Sequence, residues 1–349
     1  MAASGGNNMA MTPAEAFAGQ VAYCVKNDAP VTAALCATLW AAFDETTATG
    51  RRVRGWAGDA QFDALPLRLA GGVHDAWRRG AAAELGPLFE GSMSDVDAMR
   101  RFVARCDLTL LPWLDGPPQT NEPGRSAQLM AGLLEIARRH GPRVELLEIG
   151  SSAGLNLMIG RYRIDLGGVV TGRADAAVVL TPEWRGPPPP DVPIEIVGAH
   201  GVDIAPINAA TDDGRNRLLA YVWADHTLRF ERLEKALAML TAKPVDLVQG
   251  DAADWVEARL GEPQAAGTSR ILMHSIVWQY LGAKRQARIT AAMEAAGARA
   301  TPERSLGWVR CEADRTVHRH VVTLRSWPGH ADEVLYAHAH AHGFWVERI

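Results

Sequence analysis

Residues 146–157, LLEIGSSAGLNL, combine an apolar run with a glycine turn, and this spacing suits two different chemistries. The segment GSSAG at 150–154 matches G-x-S-x-G, the turn that presents a serine nucleophile in hydrolases. The same residues also predict a strand, a turn and a helix to about Arg161, an arrangement that can hold a charged cosubstrate. The surrounding sequence must decide whether Ser152 is a nucleophile or part of a binding loop.

The nucleophile interpretation lacks the partners that it requires. An α/β-hydrolase of this type has an oxyanion loop of the His-Gly-Gly type upstream, and no such tripeptide occurs in the chain. Its nucleophile also follows several earlier strands, whereas the residues before about 140 have a helical pattern. A serine hydrolase that uses Ser152 is therefore the third of three hypotheses.

The cosubstrate interpretation accounts for more residues. A turn that binds a dinucleotide reads G-x-G-x-x-G, but here Ser152 stands where a middle glycine would be expected. A pyrophosphate is therefore disfavoured, whereas S-adenosylmethionine has no phosphate and carries positive charges that suit the acid Glu148. The residues predicted to bind it around this turn are Glu148, Gly150, Ser151, Ser152, Gly154 and Asn156.

A second acid follows at the end of the next predicted strand, 193–203. Asp203, followed by Ile204, could accept hydrogen bonds from both hydroxyls of a ribose. Asp165 is a rival, although it lies too close to Gly154 for a helix and a full strand to fit between them. We therefore predict Asp203 and Ile204 as the ribose-binding residues and leave Asp165 open.

A third acid ends the predicted strand 244–251. Asp251, followed by Ala252, could accept from an adenine amino group while a neighbouring N–H meets a ring nitrogen. It could also cap the helix predicted over 252–260. Acids at three successive strand ends favour adenosine-type binding over three unrelated helix caps.

The predicted strand within 270–280 ends in residues that could carry a reaction. His274 could be a general base, because the pKa of histidine lies near neutrality. Trp278 and Tyr280 could line an acceptor pocket and face a sulfonium through cation–π attraction. The alternative is a buried, hydrogen-bonded histidine beside core aromatic residues.

A dense polar string, QTNE at 119–122 with Arg125, precedes the helix that leads into the glycine turn. Arg125 could bind a carboxylate of the cosubstrate or of a substrate, and Glu122 is a second pocket candidate. The alternative role for Thr120 or Asn121 is to cap the helix.

Several histidines near the C-terminus suggest a metal site at first sight. His338, His340 and His342 are two residues apart and would share one face of a strand, with His318 and His320 on the strand before. Zinc sites usually draw ligands from more than one segment with recognisable spacing, which is missing here. We therefore predict surface histidines and no metal, and keep His342 as a pocket candidate.

The composition limits the expected partners and compartment. The chain of 349 residues has a net charge of -4 and a pI near 6.3, which give no general attraction to nucleic acid. No secretory signal is visible, and no apolar stretch approaches about 18 residues. Four scattered cysteines are typical of free thiols in a reducing cytoplasm. We expect a cytoplasmic protein with a small-molecule substrate and no nucleic-acid or membrane partner.

The pattern of apolar residues predicts three regions. Residues 1–11 are predicted to be disordered, and 12–119 to form a helical region. Strands alternating with helices over 120–349 predict an α/β core, a doubly wound, mostly parallel Rossmann-type sheet with an insertion at about 162–192. The chain is predicted to close with an antiparallel hairpin around the turn at 327–329.

The helical region carries structural signals but no visible chemistry. TPAE at 12–15 predicts a capping box with proline at the first helical position. Its tryptophans are predicted to pack in a core: Trp40, Trp56, Trp77 and Trp113. Farther along, Asp225 and His226 are predicted to face solvent.

Five strings resemble a bacterial family catalogued as domain of unknown function 2332. They are QTNEPGRSA, VELLEIGSSAGLNLMIGRYRIDLGG, VQGDAADWV, HSIVWQY and HGFWVE. The resemblance spans nearly the whole chain and implies a core similar to class I S-adenosylmethionine-dependent methyltransferases, with no assigned reaction. The chain departs from the methyltransferase pattern E/D-x-G-x-G-x-G at Ser152 and in the long insertion before Asp203.

These observations give a first and a second hypothesis of different classes. The first is a methyltransferase that uses S-adenosylmethionine, releases S-adenosylhomocysteine and acts on a small molecule. The second is a non-catalytic protein that binds S-adenosylmethionine or a nucleotide, or a partner, on a decayed methyltransferase fold.

Overall fold

The computed structural model describes residues 10–314, 316 and 319–349 of the chain. The chain forms two compact units, one of residues up to 120 with 212–231, the other of 121–211 with 232–349. Residues 1–9 of the predicted disordered segment lie outside the described residues. Residues 212–231, which we had placed in the α/β core, belong to the first unit.

The α-helices, numbered in chain order, have these bounds. They are α1 (Pro13–Lys26), α2 (Pro30–Ala42), α3 (Ala48–Arg54), α4 (Leu65–Arg78), α5 (Gly86–Phe89), α6 (Val96–Arg105), α7 (Asp107–Leu110), α8 (Arg125–His140), α9 (Asp212–Ala220), α10 (Thr227–Ala242), α11 (Ala252–Gly261) and α12 (Gly282–Gly297). Short 3₁₀ helices are η1 (Ala83–Leu85), η2 (Leu111–Leu114), η3 (Asn156–Arg161) and η4 (Trp278–Tyr280).

The strands are likewise numbered in chain order. They are β1 (Arg143–Ile149), β2 (Arg163–Leu166), β3 (Val169–Gly172), β4 (Val179–Leu180), β5 (Glu183–Arg185), β6 (Glu195–Asp203), β7 (Asp246–Gln249), β8 (Ser269–Ser275), β9 (Leu306–Asp314), β10 (Arg319–Trp327), β11 (His330–Ala339) and β12 (Trp345–Arg348).

The first unit is helical and packs around its own apolar core. Helix α1 begins with the predicted capping box between Thr12 and Glu15, which is confirmed. The four tryptophans pack as predicted, with Trp77 stacked on Phe89 at 4.4 Å between ring centroids and Trp113 only 9% exposed.

An aspartate from a distant part of the sequence caps a helix of this unit. Asp225 accepts hydrogen bonds from the N–H groups of Val31 and Thr32, at 2.8 and 2.9 Å, at the start of α2. Its carboxylate therefore meets the positive end of the helix dipole. The prediction that Asp225 faces solvent was wrong, because its partner lies more than 190 residues away and no local pattern marks it.

The second unit contains a nine-stranded sheet in the order β5-β12-β11-β10-β9-β8-β1-β6-β7. The neighbours from β7 to β9 run parallel, and β9 to β12 are antiparallel. Strand β8 is buried at every residue because it lies near the middle of the sheet with helices on both faces. The unit is therefore α/β with a large, mostly parallel sheet.

The two faces of this sheet are covered by different helices. On α8, Gly132 lies so close to the sheet that a Cβ there would stand 2.7 Å from Val309 Cγ1. The adjacent residue Trp308 packs instead in a cluster with Val256 of α11 and Met293 of α12. Because successive strand residues point to opposite faces, α8 covers one face and α11 and α12 the other.

The insertion and the C-terminus add strands around this core. In the insertion, β2 and β3 pair across a hairpin turn at Gly167 and Gly168, both of which have positive φ. The predicted antiparallel hairpin around 327–329 is confirmed: β10 and β11 form it, and β9 and β12 extend it to four antiparallel strands. Strand β5 of the insertion pairs with β12 at the edge of the large sheet.

The segment after β1 differs most from the prediction. Instead of an α-helix to Arg161, the chain makes turns over 152–155 and the six-residue 3₁₀ helix η3. Because this helix is so short, its dipole contributes little positive potential at the end of β1. Any anion or cation that binds there must be held by the turn itself and by side chains.

None of the described helices is long and apolar enough to cross a membrane. All four cysteines are free thiols, as predicted, and Cys24, Cys36 and Cys311 are buried.

A buried arginine joins β8 to the end of α11. The Arg270 side chain is 3% exposed and its Nε donates to Glu145 Oε2 at 2.8 Å. Its two terminal nitrogens donate to backbone carbonyls at the end of this helix, that of Arg259 in its last turn and those of Glu262 and Pro263 just after it. One guanidinium therefore satisfies carbonyls that a helix end would otherwise leave unpaired.

We expect Arg270→Met to destabilise the protein by about 3–5 kcal/mol, because it leaves a carboxylate and three carbonyls without their donor. Arg143→Met is the matched control, since Arg143 pairs with Glu195 at 3.5 Å with both side chains exposed, and such pairs contribute about 0–1 kcal/mol. Urea denaturation followed by circular dichroism measures both changes. Equal shifts for the two variants would contradict the role given to Arg270.

Candidate site at the carboxyl ends of the strands

A cleft of about 170 Å³ lies at the carboxyl ends of the parallel strands. One side is formed by the residues that follow β1, β6 and β7, and the other by the connection from β8 into α12. The lining residues are Gly150, Val202, Asp203, Ile204, Gly250, Asp251, Ala252, Val277, Tyr280, Leu281 and Arg285. Six of the predicted site residues therefore lie on one cleft: Gly150, Asp203, Ile204, Asp251, Ala252 and Tyr280.

The glycine turn at the end of β1 has an unusual backbone. Gly150 and Gly154 have φ of 67° and 82°, a region that favours glycine. A Cβ on Gly150 would overlap the side chain of Val277, and one on Gly154 would lie 2.6 Å from Val245 Cγ2. Both glycines are required by backbone conformation and by the close approach of neighbouring chain.

Ser152 shares this left-handed conformation, with φ of 54°. Its N–H donates to Asp203 Oδ2 at 2.8 Å, and its carbonyl accepts from the N–H of Ile207. Its buried Oγ has no hydrogen-bond partner among the residues that the structure describes. A serine nucleophile needs a base within hydrogen-bond reach, so this arrangement does not support the hydrolase hypothesis.

Glu148 lies behind the turn, 1% exposed. Asn156 Nδ2 donates to Glu148 Oε1 at 2.9 Å and also contacts Ser275 Oγ at 3.4 Å, while Ser126 Oγ donates to Asn156 Oδ1. Within the described part of the chain, Glu148 Oε2 is buried without a hydrogen-bond partner. Ser151 is buried beside it, and its Oγ donates to the Glu148 carbonyl at 3.0 Å.

The acidity of Glu148 follows from this environment. Burial raises the pKa of Glu148 to about 7, while hydrogen bonds from Asn156 and Ser151 oppose the shift. The nearby Asp203 carboxylate adds to the increase and the Arg125 guanidinium opposes it. An unpartnered carboxyl oxygen with a raised pKa is the kind of group that a cationic or hydrogen-bond-donating ligand would stabilise.

Asp203 connects the turn to the cleft. Its two carboxylate oxygens accept from the N–H groups of Ser152 and Ala205, so the end of β6 fixes the turn after β1. A carboxylate has about four acceptor positions, so two remain for a ligand. Asp165 instead lies in the β2–β3 hairpin, where Oδ1 accepts from the N–H of Gly168, and does not line the cleft.

Asp251 also has a structural partner that the sequence did not reveal. It caps α11 by accepting from the N–H groups of Ala253 and Asp254, which was one of the predicted alternatives. Its second oxygen accepts from Nε of Arg285, a residue in the first turn of α12. Burial would raise the pKa of Asp251, but the Arg285 guanidinium and the backbone donors outweigh it and hold the pKa below its usual value.

His274 is a buried, hydrogen-bonded histidine, which was the alternative to its predicted role as a general base. It is 0% exposed, with Nδ1 at 2.6 Å from Glu312 Oε1 and Nε2 accepting from Trp308 Nε1 at 3.1 Å. Trp278 stacks on its ring at 5.2 Å between centroids. Because both ring nitrogens are engaged, this geometry does not support His274 as the base that takes a proton from a substrate.

Asn121 and Glu122, the last two residues of the polar string before α8, make contacts within the second unit. Asn121 Oδ1 accepts from the N–H of Leu155 at 3.0 Å, so it orients the turn and does not cap α8. Glu122 is 3% exposed and accepts from Arg232 at 2.7 Å. Arg232 also donates to the carbonyl of His342, which ties the C-terminal segment to the string.

Arg125 is buried at the start of α8, where Nε donates to the carbonyl of Ala341 at 3.0 Å. Burial raises the pKa of the neighbouring Cys311 thiol to about 12, and the charge of Arg125 partly opposes this increase. Arg125, Glu122 and His342 thus lie around one backbone junction, and none of them lines the cleft.

The predicted line of histidines does not form. Strand β11 ends at Ala339, and His340 and His342 lie in the following turn, where His340 stacks on Phe344 at 4.7 Å between centroids. His318 falls outside the described residues. Over the described ranges, no group of three or more His, Cys, Asp or Glu is arranged to hold a metal ion.

The relation to other proteins comes from a family model. The model described as "Uncharacterized protein conserved in bacteria (DUF2332)" matches residues 14–348. The chain belongs to this family. The resemblance to domain of unknown function 2332 is therefore confirmed over nearly the whole chain. No curated protein matches it.

In this DUF2332 family member, Arg285, Asn121 and Ser275 are site-forming residues that we did not predict from the sequence. Asn121 and Ser275 orient the turn and the amide behind it, and Arg285 binds Asp251. Each acts on a partner more than 30 residues away, so no short motif contains both members of a pair. A single sequence carries no signal for such pairs.

We expect Ser152→Gly to leave stability unchanged or to raise it by up to about 1 kcal/mol, because glycine adopts positive φ without a Cβ penalty. Gly150→Ala is the contrasting variant and should destabilise the protein, since its Cβ meets Val277 and its φ is also positive. Thermal and urea unfolding measure both. A Ser152→Gly variant that is as unstable as Gly150→Ala would refute this account of the turn.

Proposed function

We propose that the chain is a methyltransferase that binds S-adenosylmethionine in the cleft and methylates a small molecule. The observation that carries this proposal is the set of three acids at the carboxyl ends of β1, β6 and β7, gathered around one glycine turn. Glu148 is buried with one carboxyl oxygen that has no hydrogen-bond partner among the described residues, and Asp203 and Asp251 line the cleft.

The strand order supports a cosubstrate at this position. The parallel strands, in chain order, are β1, β6, β7, β8 and β9. If they are numbered 1 to 5, their order across the sheet is 3-2-1-4-5. Doubly wound α/β proteins with this order bind nucleotides in the crevice at the carboxyl ends, where the winding reverses. In this chain the reversal lies between β1 and β8, next to Gly150 and Val277.

The charges and shape of the cleft also suit an adenosine derivative. Ile204 and Tyr280, with 67% and 49% of their surfaces exposed, supply apolar area for a flat ring. Asp203 has acceptor positions left for ribose hydroxyls. At about 170 Å³ the cleft is smaller than the roughly 300–1,000 Å³ of a complete ligand pocket, so it suits the nucleoside part of a larger ligand.

The chain's own residues would act mainly by positioning. S-adenosylmethionine supplies an electrophilic methyl group when it is bound. Glu148 would face its ammonium or sulfonium charge, and Asp203 its ribose, so that the methyl group points to an acceptor in a fixed direction. Such positioning can contribute roughly 7–11 kcal/mol to lowering a barrier.

A non-catalytic binding protein is the second candidate, and a specific observation favours it. His274, the residue predicted as general base, has both ring nitrogens engaged by Glu312 and Trp308. An acceptor that must lose a proton would then need another base or would have to react without one. This candidate shares the ligand and differs only in the absence of turnover.

We expect the full chain to bind S-adenosylhomocysteine in isothermal titration calorimetry, and Asp203→Ala to weaken that binding at least tenfold by removing the ribose acceptor. Asp165→Ala is the matched control, because Asp165 lies in the hairpin away from the cleft, and it should bind like the parent chain. No heat and no thermal shift at millimolar ligand would sink the cosubstrate proposal.

We expect the affinity for S-adenosylhomocysteine to increase with pH up to about pH 7 and then to level off. Below its pKa of about 7, Glu148 carries a proton that a ligand ammonium group must displace, which weakens binding by up to about tenfold per pH unit. Glu148→Gln cannot ionise and should bind weakly with a flat pH profile. A parent chain with a flat profile between pH 5.5 and about 8 would contradict the role of Glu148.

A further inference from the structure

Arg285 contributes a positive charge to the lining of the cleft, beside the carboxylates of Asp203 and Asp251. It stands in the first turn of α12, where a cation opposes the helix dipole and costs stability. Its side chain is half exposed, so it is not held there by packing. The ion pair between Arg285 and Asp251, which both line the cleft, holds the Arg285 side chain in this position.

The hydrogen bonds to Asp251 limit what this carboxylate can still accept. Oδ1 accepts from the N–H groups of Ala253 and Asp254, and Oδ2 accepts from Nε of Arg285. A carboxylate has about four acceptor positions, so one remains. Asp251 can therefore take one further N–H or O–H donor, and it would repel a carbonyl oxygen at the same place.

The surface around that position is apolar and suits a flat heterocycle. Ile204, Val277 and Leu281 line the same cleft as Asp251 and Arg285. A planar ring that lies against these side chains presents its edge to the carboxylate. An exocyclic amino group on that edge donates a hydrogen bond to the free acceptor position of Asp251. A keto oxygen there donates none and is repelled by the carboxylate.

We infer that Arg285 makes the cleft selective for a 6-aminopurine over a 6-ketopurine, by fixing Asp251 so that its one free acceptor position meets the amino group. Arg285 acts through Asp251 and is a positioning residue. For the adenosine part of S-adenosylmethionine the inference rests on the proposed function, but the selectivity concerns the purine ring and can be measured without the amino-acid part.

Calorimetry of the full chain with S-adenosylhomocysteine and S-inosylhomocysteine tests the inference, with adenosine and inosine as smaller probes measured by ligand-observed NMR. The parent chain should prefer each adenine ligand on the order of 10- to 100-fold. In Arg285→Ala and Arg285→Gln the preference should decrease to about threefold or less, because the Asp251 carboxylate is free to turn and accept from other ring positions. The ratio of the two affinities is a readout that general loss of structure does not predict.

Arg288→Ala is the matched control. Arg288 lies one turn farther along α12 and pairs with Asp254 at 2.7 Å and with Glu257, and none of the three lines the cleft. It removes an ion pair between the same two helices, so it should leave the adenine preference unchanged. Circular dichroism of all variants establishes that they fold. The two Arg285 variants should show the same decrease in the adenine preference.

Each outcome decides the inference. A lowered preference in the Arg285 variants alone supports it. Tighter adenine binding by these variants would mean that Arg285 competes with the ligand for Asp251, and an unchanged preference would mean that it has no part in selection; either result overturns it. A parent chain that prefers adenosine but does not bind S-adenosylhomocysteine would sink the proposed function and leave the selectivity standing, and a parent chain that binds none of the four probes overturns both.

Discussion

The turn at the end of β1 imposes the constraint on which the site depends. Alternate residues Gly150, Ser152 and Gly154 all have left-handed backbones, so the chain reverses tightly where an ordinary helix start would have led away from the strand. This compact reversal lets Val277 approach Gly150 from the end of β8 and brings the N–H of Ser152 to Asp203 on β6. Three strand ends thereby meet at one place, and the cleft is the space left between them.

The carboxylates at these ends hold the fold and line the cleft at the same time. Asp203 fixes the glycine turn through the N–H of Ser152 and its own loop through the N–H of Ala205, and Asp251 caps α11 while it binds Arg285. Their energetic cost of burial is offset by these donors, which are in place without a ligand. A ligand therefore meets oriented acceptors, and little reorganisation is required on binding.

Some buried polar groups have all their hydrogen-bond partners and others do not. This difference distinguishes residues with a structural role from candidate ligand-binding residues. His274 has both nitrogens engaged and sits in an aromatic environment, which is typical of a core residue. Glu148 has one oxygen without a partner among the described residues, although an unpaired buried polar atom costs about 1–3 kcal/mol. A carboxyl oxygen that could bind a ligand thus lies directly behind the glycine turn. His274, in contrast, has no ring nitrogen available to accept a proton from a substrate.

The sequence alone determined the parts of the protein that depend on local patterns. Apolar runs located the parallel strands, the spacing of Gly150 and Gly154 located the turn, and Thr12 with Glu15 located the first helix, because each signal lies within a few residues. Only the tertiary structure decided that the turn continues into η3 and not an α-helix, that Asp225 caps α2, that His274 is enclosed by Glu312 and Trp308, and that Arg285 holds Asp251. Those outcomes depend on partners that folding brings together from distant segments, and the choice among several possible partners is made by packing.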